Sequence, residues 1–294
     1  MSAATNKEAS MAAAKKTAET AATQMEKAGV SPTGISRYGE YGTKTGFEGV
    51  TKEDLKTPFI KVLQPMSPEI TNSEVEGAKP GMFYNTASGQ LIPMEQGIVV
   101  VPLGKKHHFV EWRPREQGGG FVGTHEPNSA AVLQAQKAAG NKVGKLSIPS
   151  ADNKTQNELI ESHDVFCLIL SDDGKTTQGD CAIFAFTSTK IGAVKNWWTK
   201  MYMVKPRQPM FTFRVKITGF KDPRTNKGVF FNVKTEAFPV AGDLKLSSID
   251  PETEKDLLDS AYAMFQAFDS GDMKGDYSKM DGTEAAGGGE DVPF

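Results

Sequence analysis

The sequence predicts a mainly β protein: an OB-type barrel that carries an insertion and is followed by a C-terminal helix, with a β-sandwich or an open α+β sheet as alternatives. Three stretches carry that prediction. Residues 97–103 (GIVVVPL) are dense in β-branched side chains, which suit a pleated, half-buried surface. Residues 211–217 (FTFRVKI) alternate apolar and polar, the period of a half-exposed strand. Residues 251–268 place Leu257, Leu258, Ala261, Met264, Phe265 and Phe268 on one helical face, with Asp250 as cap and Glu252 and Glu254 in the first turn.

The remaining elements follow in chain order. Residues 1–50 read as a flexible N-terminal arm, Ala-rich and then dense in Gly, Ser and Thr. The OB-like domain is assigned to 51–247, opening with a strand at 58–63. Residues 82–85 and 91–92 flank Ala87-Ser88-Gly89, a hairpin turn. After the run at 97–103, Gly104 makes a tight turn into a second strand at 106–113 (KHHFVEWR). Gly118-Gly119-Gly120 ends that block as a turn. Residues 124–157 look like an insertion, with a helix at 128–139. Strands resume at 165–170 and 181–186, and 188–204 reads as a helix capped by Ser188 or Thr187. Pro206 and Pro209 stop it. The alternating strand at 211–217 is joined to a partner at 229–238 by a turn at 222–228. The C-terminal helix packs on the domain within 248–269, and 270–294 is assigned as a disordered acidic tail.

Composition excludes several classes of function. No apolar run among the 294 residues approaches the roughly 18 needed to span a membrane, and the N-terminus lacks a secretory pattern. Cys167 and Cys181 sit in apolar runs as buried thiols, which fits a reducing, cytoplasmic compartment. There is no GxxxxGK[ST] loop, no GxGxxG after a strand and no GxSxG elbow. His107 and His108 are adjacent on a strand and point to opposite faces, and no His pair has helical spacing, so neither metal nor cofactor is expected. The chain does not read as an enzyme.

Charge is distributed unevenly. The formal net charge is −2, yet between Thr187 and Lys234 eleven Lys and Arg residues face a single acid, Asp222. Aromatic residues interleave with those cations, the combination that lets a surface track phosphates and stack bases. The nucleic-acid-binding candidates here are Lys190, Lys195, Trp197, Trp198, Lys200, Tyr202, Lys205, Arg207, Arg214 and Lys216. Consecutive Trp197 and Trp198 cannot both point inward on a helix; the sequence does not say which is core. Phe211, Phe213, Val215 and Ile217 share a strand face that reads as core. A second candidate surface holds His108, Trp112 and Arg113, with His108 and Trp112 on one strand face.

The chain ends in Glu290-Asp291-Val292-Pro293-Phe294, two carboxylates before an apolar hook. A basic, aromatic-bearing β domain with such a tail resembles the single-stranded DNA-binding proteins of bacteria and phages, whose tails end in acids and then Ile-Pro-Phe. Val292 replaces the isoleucine; the long domain with its insertion is more similar to a phage replication or recombination protein. The resemblance implies sequence-independent coating of single-stranded DNA in replication, recombination and repair. It also implies that Glu290, Asp291, Val292, Pro293 and Phe294 recruit partner enzymes, and that the tip folds back on its own basic groove when DNA is absent. For a viral protein the compartment is the host cytoplasm. The rival reading is a virion or assembly protein whose basic surface contacts nucleic acid or another subunit. Homo-oligomer formation is left open.

Overall fold

The computed structural model describes residues 57–140, 146–151, 154–223, 229–275 and 277. The assigned N-terminal arm, most of the 270–294 tail and its docking tip therefore lie outside the described residues, as does most of the 222–228 turn. The mainly β class holds. Ten strands form one sheet: β1 (Phe59–Val62), β2 (Phe83–Asn85), β3 (Leu91–Ile92), β4 (Ile98–Trp112), β5 (Phe121–His125), β6 (Leu146–Pro149), β7 (Gln156–Leu170), β8 (Thr177–Thr187), β9 (Val215–Asp222) and β10 (Phe230–Ala237). Besides a single helical turn at Pro68–Thr71, the α-helices among the described residues are α1 (Ala130–Ala139), α2 (Ile191–Met203) and α3 (Lys255–Asp269).

The sheet runs β10-β9-β4-β7-β8-β1-β2-β3, with β5 added beside β4 and β6 beside β7. Among the described residues no strand ladder joins its two ends, so the barrel expected from the sequence does not close. The ends approach through other contacts. The Gln64 side chain, just after β1, accepts from the backbone N–H of Phe231 in β10 (3.0 Å) and donates to its carbonyl (2.9 Å). The Gly219 N–H in β9 donates to the Met94 carbonyl beyond β3 (3.1 Å). A buried side-chain amide thus satisfies the backbone groups that a neighbouring strand would otherwise pair.

Two strands are longer than the sequence suggested. The two strands expected around Gly104 are one, β4, paired with β7 along its length and interrupted by a bulge between Pro102 and Gly104. Gly104 is a contact rather than a turn: a Cβ there would lie 2.0 Å from the Phe268 ring of α3. Strand β7 begins at Gln156, nine residues before the apolar run at 165–170 that betrays it.

Alternation then assigns two cores to the two faces. On one face Val100, Val165, Cys167, Ile169 and Phe184 pack with Val194, Trp197 and Met201 of α2 and with Phe213, Val215 and Ile217. On the other Val101, Leu103, Phe166, Leu168 and Ile183 pack with Leu257 and Ala261 of α3. Phe211, expected beside Phe213, packs instead against that second core and the Phe265 ring (5.0 Å), because residues 210–212 form a 3-10 turn and the strand starts only at Val215. A smaller cluster places α1 over Phe109, Ile148 and Leu159, so the 124–157 insertion has its own apolar seat.

Both expected helix caps shift. A 3-10 turn (Ser188–Lys190) precedes α2, and neither Thr187 nor Ser188 makes the cap: the Thr187 side chain bonds no helix N–H, and Ser188 lies within the turn at a φ of 50°. Asp250 accepts from the Glu252 N–H (2.9 Å) in a turn ahead of α3, while Glu254 occupies the N-cap position. Asp250 does stabilise a chain reversal, but five residues before the helix begins at Lys255.

Candidate functional site

Helix α2 decides the question of the two tryptophans. A rotation of about 100° per residue puts Trp197 in line with Val194 and Met201, and all three are buried. Trp198 falls on the flank, half-buried. There it borders a groove of about 460 Å³ whose lining includes Lys105 of β4, Trp198 and Tyr202 of α2, and Arg207, Gln208 and Met210 of the segment after it. Two cation–π pairs stand in this groove. Lys105 Nζ lies 4.2 Å from the Trp198 ring centre, and the Arg207 guanidinium lies 4.1 Å from that of Tyr202. Each such pair contributes on the order of 0.5–1 kcal/mol at an exposed site, weak enough to exchange for another partner. The Tyr202 residue remains 61% exposed. The lining therefore offers two aromatic rings and two cations with wet access, chemistry suited to flat, anionic ligands.

The structure brings together only part of the sequence-based set. Trp198, Tyr202 and Arg207 line the groove, and Lys195, Lys200 and Lys205 are exposed on α2 or just beyond it. Lys216 is half-buried on β9, paired with Glu236 of β10. Five candidates are corrected because they are buried. Lys190 and Trp197 are each 3% exposed, packed under the start and the inner face of α2. Arg214 is enclosed by carbonyls and Glu254. His108 (1% exposed) and Trp112 (6%) do share a strand face, but that face is covered, Trp112 by Phe121 and His108 by Tyr277. Arg113 is exposed, roughly 26 Å along the strand from Lys105 at 3.3 Å per residue, and belongs to no common surface with the groove. Residues Glu290, Asp291, Val292, Pro293 and Phe294 lie outside the described residues.

The family model of the Pam3 phage gp34-like protein matches residues 25–274, which include the whole sheet, α2 and the groove. This chain is a member of that phage family. No curated protein and no solved structure matches it. No helix among the described residues is long and apolar enough to cross a membrane.

Two constellations escaped sequence reasoning, both built where β4 and β7 run antiparallel. His107 pairs directly with His163, and their rings stack 4.2 Å apart. Glu161 Oε1 lies 3.1 Å from Nε2 of each, and the His163 bond holds the Glu161 carboxyl below its usual value against the opposing effect of burial. Burial and the neighbouring His163 lower the His107 pKa. Glu161 and His163, two apart in sequence, could have been placed on one face, but only after the polar stretch 156–164 was recognised as strand.

On the opposite face Asp164 accepts hydrogen bonds from the Ser162 hydroxyl (2.5 Å) and from the Tyr277 hydroxyl, and His108 Nε2 reaches that phenol oxygen at 3.0 Å. With the Tyr277 proton on Asp164, His108 donates through Nε2. Burial pushes Asp164 up to about 6 and His108 down to about 4. Asp164 therefore stabilises the fold most below its ordinary value of 3.8, and that contribution is lost as pH rises through about 6. His108 acts oppositely: its contribution is present above 6.5 and lost as pH falls through about 4. Asp164→Asn is expected to gain stability relative to the parent by about 1–3 kcal/mol between pH 4 and pH 7 in urea unfolding. A parent–variant difference that is flat with pH would rule out an ionising Asp164.

Proposed function

We propose that this phage protein binds single-stranded DNA without regard to sequence, protects it during replication and recombination, and offers its C-terminal tip to partner enzymes. The observation that carries the reading is the groove in which Lys105 covers Trp198 and Arg207 covers Tyr202. Single-strand binding requires cations that follow the phosphates and aromatic faces that accept any base, and stacking contributes roughly 1–3 kcal/mol per base. In this reading each cation moves from its ring to a phosphate while a base takes its place. Lys195, Lys200 and Lys205 extend the positive surface along α2.

Anisotropy of a labelled oligo-dT, against a duplex of equal length and over a range of salt, tests the proposal. Oligo-dT is expected to bind more tightly than duplex. Tyr202→Ala weakens it by roughly 5- to 150-fold, the equivalent of 1–3 kcal/mol. Arg207→Gln reduces the slope of log affinity against log salt by about 0.7, the value of one phosphate contact on a single strand. Equal affinity for single strand and duplex, unaltered by either change, would instead favour a virion or assembly role.

The tail makes a separate prediction. Glu290 and Asp291 stand near the end of an acidic segment in a chain whose 187–234 block is strongly basic. In this proposal a tethered anion competes with DNA for that block at high effective concentration. Deleting residues 282–294 is expected to raise oligo-dT affinity at low salt and to have little effect near 0.5 M salt, where such attraction is screened. Unchanged low-salt affinity would remove self-inhibition from the mechanism.

A further inference from the structure

We infer that His107, Glu161 and His163 form a binding site for a divalent transition cation of the Zn²⁺ type, with one coordination position left to solvent or ligand. The three residues come from adjacent antiparallel strands and share one sheet face; each offers a ligand atom, and all three atoms lie within 4.8 Å of one another. Metal–nitrogen and metal–oxygen bonds of about 2.0–2.2 Å place neighbouring ligands of a tetrahedral ion roughly 3.3–3.5 Å apart. The two Nε2–Oε1 separations are already 3.1 Å each, so small side-chain rotations admit an ion between them.

The donor chemistry narrows the ion. Two imidazoles and one carboxylate favour zinc or a neighbouring first-row metal over Mg²⁺ or Ca²⁺, which take oxygen ligands. Cys167, the nearest thiol to consider on this face, is fully buried in the core, so sulfur takes no part. The surroundings are asymmetric. The edge of Trp198 closes one side at 5.2 Å from the His163 ring, whereas His107 and Glu161 are partly exposed. His163 Nδ1 is buried without a hydrogen-bond partner among the described residues. Lys195 Nζ lies 4.0 Å from Glu161 Oε1; its own side chain is largely exposed, and it is free to swing away when the carboxylate binds a metal.

Zinc titration of the full chain by calorimetry, after treatment with chelator, tests the site. One Zn²⁺ is expected per chain. X-ray absorption should give a shell of nitrogen and oxygen with the outer scattering of two imidazoles and no sulfur. His107→Ala and Glu161→Gln, both at partly exposed positions, should each weaken zinc by at least about 100-fold, beyond the 10–100-fold seen when only an outer partner of a metal ligand is lost. His125→Gln, on a separate pair with Glu111 2.7 Å away, should bind like the parent. Circular dichroism establishes that each variant is folded. Absence of zinc binding in the parent, a sulfur shell, or equal binding by the folded His107→Ala and Glu161→Gln variants would overturn the assignment and leave a histidine–carboxylate hydrogen-bond cluster only. None of these readings depends on DNA binding.

Discussion

Replacing Arg214 with alanine is expected to destabilise the folded chain by about 3–5 kcal/mol, the range for breaking one partner out of a buried ion pair. The guanidinium donates from Nη1 to Glu254 Oε1 (2.6 Å) and to the Gly174 carbonyl (3.3 Å), from Nη2 to the Ser248 carbonyl (3.2 Å), and from Nε to the Ser247 carbonyl (3.4 Å). One side chain thus ties the start of α3, the β7–β8 turn and the segment 247–248 to the approach of β9. Its removal leaves the Gly174 and Ser248 carbonyls and the Glu254 Oε1 without this donor, while the Ser247 carbonyl keeps the backbone N–H of residue 214 (3.0 Å); a buried acceptor without a partner costs more than its bond contributed. Arg214→Lys should recover little, because an ammonium cannot reproduce the planar fork. Urea unfolding gives the magnitude. A loss below about 1 kcal/mol, coupled with a specific fall in oligo-dT affinity, would return Arg214 to the surface role that its sequence neighbours suggested.

The second large effect separates two adjacent residues. Trp197→Ala is expected to cost about 3–5 kcal/mol of stability, since the ring is buried against Val194, Met201 and the sheet and its loss opens a cavity. Trp198→Ala should cost only about 1 kcal/mol, through lost contact with His163 and Lys105. Its principal effect, under the proposed function, falls on single-strand affinity. Thermal unfolding and oligo-dT titration of the two variants should therefore give opposite orders of severity. If Trp198→Ala proves the more destabilising, α2 does not turn Trp197 toward the core.

The periodicities that were legible in the sequence are those a residue's immediate neighbours impose. The β-branched run 97–103 became buried strand, the alternation at 211–217 begins as a 3-10 turn before its strand, and the apolar stripe of 257–268 became the face of α3 that packs on the sheet, with Leu257 and Ala261 buried. The polar stretch 156–164 was not legible as strand. It is half of a 15-residue partner to β4, and its hydrogen bonds come from residues some fifty positions away. Such pairing is a property of the ladder, and local composition carries little trace of it. For the same reason Gly104 looked like a turn; only α3, bringing Phe268 across the strand, reveals the contact that requires a residue without a side chain.

What the sequence by itself determined is the mainly β class, the amphipathic helices and a basic block interleaved with aromatic residues. Those follow from the spacing of side chains along a single segment. Tertiary structure alone decided which of those side chains meet solvent. It turned Arg214, Lys190, Trp197, His108 and Trp112 inward and gathered Trp198, Tyr202 and Arg207 with Lys105, which lies outside the basic block. It also set His107 opposite His163. Charge and aromatic content are counted along the chain, whereas accessibility and cross-strand register depend on which distant segment packs against each face.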